Sequence, residues 1–439
     1  MAVRRRLEVT YPNAAGIDVG GSAHYVAVPA DREGETVRKF GVCTADVEQL
    51  ADWLIACGVD MVAMESTGVY WIPVYELLER RGLRVLLVNA RQVKNVAGRK
   101  SDVLDCQWLQ QLMSFGLLRG AFRPQDEVCV VRAVVRHRGT LTKEQAQQVQ
   151  RMQKALVQMN LQLSEVLSDV VGASGQAIIR AIVGGERDAH KLAALCRRGI
   201  KASPAQVARA LQGNWREEHV FVLSQALALY DAYAQQLCAC DAKIEQLLAG
   251  LARFDASHAK ARTKVSKGAP KFDLHRALIR WCGVDLTRID GLQVTTVLKI
   301  LAEIGTDVSR FKSVKHFCSW LNVCPGTKIS GDKRLSGRIR PCPNRVKQAF
   351  KMAAMSLAHS HSGLGAYYRR MCARKDKAHA NAATAHKLAR LFYFMLTRGE
   401  DYVDRGEAEF HKRHRERTLS SLKRRAAELG MQLIPQTAA

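Results

Sequence analysis

The sequence predicts an α/β domain followed by long helices and a mainly helical C-terminal part. Three observations lead there. Short apolar runs alternate with helical stretches over the first hundred residues, the pattern of a sheet covered by helices. From Glu127 to Phe254 the apolar residues step by three and four, as in long packed helices. Beyond Lys271 short helical stretches are broken by glycine, proline and clustered cations.

Ala14 to Ala30 reads AAGIDVGGSAHYVAVPA. Two apolar runs around Gly20-Gly21 predict a hairpin, with Asp18 near the end of its first strand. Asp46 to Cys57 has helical spacing. Val59 to Met64 is a short apolar strand with Glu65 directly after it, and Ser66-Thr67-Gly68 turns into a helix through Leu77 and Leu78. Leu83 to Val88 is another apolar run, of the kind buried in a sheet. A basic stretch, Arg91 to Lys100, leads to Ser101-Asp102-Val103-Leu104-Asp105. Ser101 is a good N-cap for a helix over Asp102 to Met113. On it Asp102 and Asp105 are neighbours at i and i+3. Acids in a first turn also complement the helix dipole, so stability alone could explain that pair. Together with Asp18 and Glu65, they form a set of four carboxylates that could converge at the strand ends. Hard divalent cations such as Mg²⁺ favour such oxygens, and a metal cluster there would suit phosphate chemistry.

Val149, Met152, Leu156, Met159, Leu163, Val166 and Val170 form a heptad seam. A second runs through Leu223, Leu227, Tyr230, Ala234 and Leu237, is broken by Asp241 and resumes at Ile244. Two long helices follow, joined by the Gly184-Gly185 region and packed as an intramolecular hairpin, as a dimer, or as ordinary core helices. Ala256 to Lys271 is a basic linker with glycine and proline. Ile289 to Gly305 (IDGLQVTTVLKILAEIG) suggests two short helices around a glycine turn, which would aim N–H groups at a phosphate. Phe311 to Val323 reads as another short helix. Thr327 to Asn344 (TKISGDKRLSGRIRPCPN) has neither a helical nor a strand period, so it predicts a highly positive loop. Lys328, Lys333, Arg334, Arg338 and Arg340 are its cations. The loop could simply bind phosphate, or one of its serines could attack one with help from these charges. Arg345 to His359 and Asn381 to Leu396 look like amphipathic helices, and His411 to Arg425 like a basic helical tail.

With 439 residues the chain can hold two or three domains. Its net charge of +26 implies a polyanionic partner, most plausibly nucleic acid, with a membrane surface as the alternative. No stretch reaches the roughly 18 unbroken apolar residues of a spanning helix, and Met1 to Thr10 lacks the apolar core of a signal peptide. The 12 cysteines are scattered, with no C-x-x-C pair, which argues against structural zinc and for reduced thiols in a cytoplasm. Aromatic residues make up only 6%, too few for stacking to be the main mode of strand binding.

The ordered segments GIDVG, MESTGVYW and VNARQVKNVAGRKSDVLD, followed by IDGL, LAEIGTDVSRFKS and SGDKRLSGRI, resemble a family of bacterial insertion-sequence transposases. In these proteins an RNase H/RuvC-like DEDD domain is coupled through a coiled coil to a mainly α serine transposase domain. The resemblance covers nearly the whole chain. It implies a RuvC-like domain over 1–126, a coiled-coil region over 127–255, a basic linker over 256–284, a serine transposase domain with a helix-hairpin-helix-like segment over 285–400, and a basic tail over 401–439.

It further implies an RNA-guided site-specific DNA recombinase of the bacterial cytoplasm and nucleoid, with no membrane role. A structured bridge RNA pairs with target and donor DNA. The protein assembles as a tetramer of two dimers. Asp18, Glu65, Asp102 and Asp105 carry over as the DEDD acids that hold Mg²⁺. Ser330 carries over as the nucleophile that forms a phosphoserine link to DNA, with Ser336 the alternative. Arg99, Lys100, Lys328, Lys333, Arg334, Arg338 and Arg340 are the expected nucleic-acid contacts. One departure stands out: Arg340-Pro341-Cys342-Pro343-Asn344 replaces the family's usual serine, lysine and glycine before asparagine. Its two prolines remove two N–H donors, so the loop is expected to hold phosphate differently. A metal-dependent nuclease or junction resolvase, without a covalent intermediate, is the alternative activity. A binding protein with decayed sites is a third.

Overall fold

A computed structural model describes residues 8–32, 34–66, 68–89, 101–257, 259, 268–337, 339, 342–399, 402–404 and 406–434. The chain divides into two compact units, Met1–Arg123 and Pro124–Ala439. Arg99, Lys100, Arg338 and Arg340 lie outside the described residues, as do the basic stretch 91–100, Pro341 and most of the linker's basic run.

The first unit is a mixed α/β domain. Strands β1 (Ala14–Val19), β2 (His24–Ala27) and β3 (Val37–Phe40) form an antiparallel meander, and β4 (Met61–Glu65) and β5 (Arg84–Val88) add to β1 in parallel. The order is β3-β2-β1-β4-β5. The sheet separates two layers. Helices α1 (Thr44–Ala56) and α2 (Trp71–Arg80) cover one face, where Leu50, Leu54, Val74 and Leu78 pack with Ile17, Val26, Val62 and Met64. Helix α3 (Asp102–Ser114) covers the other, where Met113 packs with Ala14 and Ala63, and Leu109 with Val88. Strand β1, shielded on both faces, is almost wholly buried, as its unbroken apolar run requires. Strand β3 is an addition to the expected set. Its sequence, VRKF, has too few apolar residues to announce a strand, and its pairing with β2 fixes it instead.

Among the described residues the second unit is helical apart from one ribbon. Helices α4 (Asp126–Gln158) and α9 (Glu217–Gly250) lie antiparallel within one chain. Arg138 pairs with Asp241 near one end, and the Gln145 amide donates to the Tyr230 carbonyl further along, at 3.2 Å. Between them the chain forms α5 (Leu163–Val166), α6 (Ala173–Val183), α7 (Ala189–Ala194) and α8 (Pro204–Ala210). Their core joins Met152 and Leu156 of α4 to Leu223 and Leu227 of α9. The first apolar seam does not continue as one helix. Helix α4 ends at Gln158, Asn160 takes a left-handed φ of 55°, and Leu163 and Val170 fill the same core from other elements. Asp241 breaks the second seam because it is the buried partner of Arg138. It also accepts from the Lys271 amide at 3.2 Å, while Arg138 donates to the Gly268 carbonyl at 3.1 Å. The pair thus fastens the end of the linker to the helices.

Then come α10 (Leu274–Cys282), α11 (Val294–Ile304) and α12 (Val314–Trp320). The element before the Gly291 turn is a three-residue 3₁₀ turn, Leu286–Arg288, rather than the first helix of a pair. Strands β6 (Lys328–Ser330) and β7 (Lys333–Ser336) form the ribbon. Helices α13 (Arg345–Ser356), α14 (Gly363–Arg374), α15 (Lys377–Arg398) and α16 (Gly406–Glu428) complete the unit. Among the described residues no helix is long and apolar enough to cross a membrane.

Candidate active site

The four acids occupy one face and one end of the sheet. Side chains alternate along a strand. Ala14, Gly16 and Asp18 therefore face α3, as do Ala63 and Glu65. The parallel register ends at Ile17 opposite Met64; one step further, Asp18 stands beside Glu65. Helix α3 runs antiparallel to β1. Its Met113 end packs on Ala14, and at Gly16 it comes so close that a Cβ would lie 2.3 Å from the Cys106 carbonyl oxygen. The first turn of α3, with Asp102 and Asp105, is thus carried toward Asp18. An electrostatic signature agrees: the Cys106 thiol is pushed up to about 12, mainly by burial and further by the fields of Asp18 and Asp105. The thiol is buried and donates to the Val103 carbonyl at 3.1 Å within α3.

Local chemistry explains these positions. The Ser101 side chain accepts from the Leu104 amide at 3.4 Å, so the expected N-cap starts α3 one residue before Asp102. The amides of Thr10 and Tyr11 donate to the Ser114 carbonyl at 2.8 and 2.9 Å, tying the other end of α3 to the entry into β1. Past Glu65, both the Ser66 amide and its hydroxyl donate to the Val88 carbonyl, at 3.0 and 3.1 Å. That junction fixes where β4 ends and so where Glu65 projects.

Asp18, Glu65 and Asp105 are half-buried and Asp102 is exposed. The donor chemistry suits a hard divalent cation. The spacing does not close into a ligand shell: among the described residues no three His, Cys, Asp or Glu side chains are grouped tightly enough to hold a metal ion. The convergence expected of the acids is therefore one of face and end, not of contact.

Ser330 belongs to the second unit. Thr327 to Asn344 is not wholly a loop, because β6 and β7 pair as an antiparallel hairpin within it. The signal was hidden because nearly every position is charged or polar and the backbone does the pairing. Ser330 lies opposite Lys333, Ile329 opposite Arg334 and Lys328 opposite Ser336, with a bulge at Lys328/Ile329. Gly331 opens the two-residue turn with φ of 55°, a conformation for which glycine is suited. Ser330 is exposed and Ser336 half-buried. Each serine thus faces a lysine, which can neutralise a phosphate but is a point charge rather than a bidentate fork.

Gly16 is a site residue that sequence reasoning passed over. A glycine inside a strand is the available signal for close backbone approach.

Two family models match the chain in order, one over the α/β domain that carries the four acids and the start of the helical unit, the other over the part that carries the serine hairpin. Residues 15–161 match the transposase model of the IS110 group, and residues 284–369 match the model described as Transposase IS116/IS110/IS902 family. The two matches occur in order, cover more than half of the chain and contain all five candidate catalytic residues. The chain belongs to the IS110 family of transposases. The "Mini-circle putative transposase for IS117" of Streptomyces coelicolor is 32% identical over 165 residues, which is 37% of this chain and 38% of that protein. The chain thus spans under two-fifths of the length of the curated relative it matches.

Proposed function

We propose that this protein is an RNA-guided site-specific DNA recombinase that cuts and rejoins target and donor DNA through a phosphoserine intermediate. The observation that carries the reading is the ordered pair of family matches, one enclosing the four acids and the other the Ser330 hairpin. The strand order of the sheet supports a RuvC-like reading of the first domain. The net charge of +26 supports nucleic-acid partners. Guidance by a bridge RNA, and a tetramer of two dimers whose composite sites draw on different protomers, rest on the family resemblance.

In the proposed step the Ser330 hydroxyl loses its proton and its Oγ attacks a DNA phosphorus. A P–Oγ bond forms, one P–O bond of the backbone breaks, and the departing strand end takes up a proton as a free hydroxyl. Attack by a hydroxyl of the incoming strand reverses these changes and releases the serine. The phosphodiester's energy is kept in the ester, so rejoining needs no nucleotide cofactor. Lys328, Lys333 and Arg334 would offset phosphate charge around the hairpin. Asp18, Glu65, Asp102 and Asp105 would hold Mg²⁺, which when bound supplies further charge neutralisation at the scissile phosphate.

The test incubates the full chain with its RNA, Mg²⁺ and labelled target and donor DNA, and resolves products on a denaturing gel. A protein-linked DNA band should form with the wild type and vanish with Ser330→Ala and Asp105→Ala. Loss with Ser336→Ala alone would move the nucleophile to Ser336. Cut DNA without a linked band in any lane would replace the recombinase with a water-attacking nuclease.

A further inference from the structure

The last three helices enclose a cavity that the recombination chemistry does not use. Its volume is about 280 Å³, near the lower end of cavities that take small ligands, roughly 300–1,000 Å³. Tyr367 and Arg370 of α14, Lys387 of α15, and Phe410, Arg413, His414 and Arg417 of α16 line it. The floor is aromatic: the Tyr367 and Phe410 rings meet edge to face, with centroids 6.4 Å apart. Lys387 Nζ sits 4.4 Å from the Tyr367 ring centre and 6.0 Å from that of Phe410, at cation–π range. The rim is cationic, and no carboxylate is among the lining residues.

The wall formed by α16 is built into the fold. Arg369 donates to Glu407 at 2.6 Å, and Asp404 accepts from the Gly363 amide at 3.1 Å just before the helix begins. Beyond that anchor α16 buries no residue. Arg413 is paired with Glu409 at 2.7 Å. Arg370 and Arg417 have no ion-pair partner among the described residues and are exposed. Lys387 is lowered from its ordinary value by burial and by the field of Arg417, against an opposing pull from Asp404. Like charges are thus crowded here, and an anion would relieve them.

We propose that this cavity binds one unpaired nucleotide of a nucleic-acid strand, its base against Tyr367 and Phe410 and its phosphates on Arg370 and Arg417. An aromatic floor accepts any base face, and cations at the rim track the backbone. A paired base in a duplex has no free face to offer, so the occupant is single-stranded. The proposal rests on the nucleic-acid partner of the function above, and assigns where an unpaired segment is held.

The test uses the full chain and fluorescence polarisation. The probes are a labelled single-stranded RNA of about 12 nucleotides, a DNA of the same sequence and a DNA whose bases have been removed. Arg370→Ala/Arg417→Ala, both exposed, should leave the circular dichroism spectrum and thermal midpoint unchanged. It should weaken binding of at least one base-bearing probe tenfold or more. The slope of log affinity against log salt should become shallower by about 1.4, the loss of two phosphate contacts on a single strand. Weakening of the RNA alone assigns the cavity to RNA, and of the DNA alone to DNA. Wild-type protein should bind the abasic probe less tightly than the intact DNA, and equal binding would overturn the base contact. Unchanged affinity and slope in the folded double variant would overturn the proposal. The covalent-adduct gel separates this result from the recombinase reading. An adduct-forming wild type with indifferent pocket variants sinks only the pocket, whereas pocket-dependent binding without any adduct sinks only the recombinase.

Discussion

Gly16→Ala tests whether the seating of α3 on β1 governs the site. The added Cβ would lie 2.3 Å from the Cys106 carbonyl oxygen, 2.4 Å from the Gln110 amide nitrogen and 2.9 Å from the Leu109 Cβ. Ordinary contact begins near 3.4 Å, so the helix must retreat by about 1 Å from the strand. Two of the three atoms are backbone, and no side-chain rotation relieves them. Overpacking of this kind costs about 1–3 kcal/mol. The retreat moves Asp102 and Asp105 relative to Asp18, and a misplacement of about 1 Å at a reacting centre costs on the order of 100-fold in rate. The assay pairs chemical denaturation with the rate of DNA cleavage. The control is Gly139→Ala, in the interior of α4, where a Cβ meets nothing within 4 Å. That change should stabilise by about 0.5–1 kcal/mol and leave the rate alone. If Gly16→Ala is as stable and as fast as the wild type, α3 does not sit where this reasoning needs it.

Three other outcomes can be checked. Arg138→Ala leaves Asp241 buried without its cation and should destabilise by about 3–5 kcal/mol in urea unfolding; a loss under 1 kcal/mol would remove the pair from the account of the helical hairpin. His24 is buried at 2% exposure, and burial lowers its imidazole below the ordinary 6.5 despite the opposing field of Asp46. The unfolded chain then binds that proton first, so this contribution to stability is complete above about pH 6.5 and is lost as pH falls toward the lowered folded value; the thermal midpoint of the wild type should fall relative to that of His24→Leu between pH 7.5 and pH 5, and parallel midpoints would refute it. Lys328→Ala/Lys333→Ala should make the salt dependence of duplex DNA affinity shallower by about 1.8, and an unchanged slope would show that these lysines do not meet phosphate.

The N-terminal sheet was legible where apolar runs announced it. Strands β1 and β4 are largely buried and β5 is buried at its Leu87-Val88 end, so burial wrote their sequences, and Ser101 marked the start of α3 by a chemistry confined to four residues. Strand β3 and the Ser330 hairpin were not legible, because VRKF, KIS and KRLS carry no apolar alternation and owe their conformation to a paired backbone. The seam through Val149 and Met159 misled for the opposite reason. Its apolar residues do share a core, but Asn160 turns the chain, and sequence spacing cannot show that one core is filled from several elements. The acids could be named because each interrupts an apolar pattern or opens a helix. Their common face could not, since it depends on the parallel register of β1 with β4 and on the contact at Gly16, both of which join residues distant in sequence.

The two halves of the chemistry differ in how firmly the chain holds them. Asp18 and Glu65 project from a five-stranded sheet with helices on both faces, and Asp102 and Asp105 from a capped helix packed against it. Ser330 sits on a ribbon of two strands in which Ile329 and Leu335 are each 67% exposed. A two-stranded ribbon without an apolar face to bury is marginal in water, and nothing in its sequence supplies such a face. Its own packing therefore does little to aim the serine hydroxyl. If the recombinase reading holds, that aim comes from what binds the ribbon, with phosphate drawn to Lys328 and Lys333 and a surface covering Ile329 and Leu335. A nucleophile positioned only in the assembled complex would remain inactive on stray DNA, whereas the acids already share one face and one end of the sheet before anything binds. Replacing Ile329 and Leu335 with serine should then slow adduct formation while leaving the folding of both units unchanged, and an undiminished rate would mean that the ribbon is aimed by its charges alone.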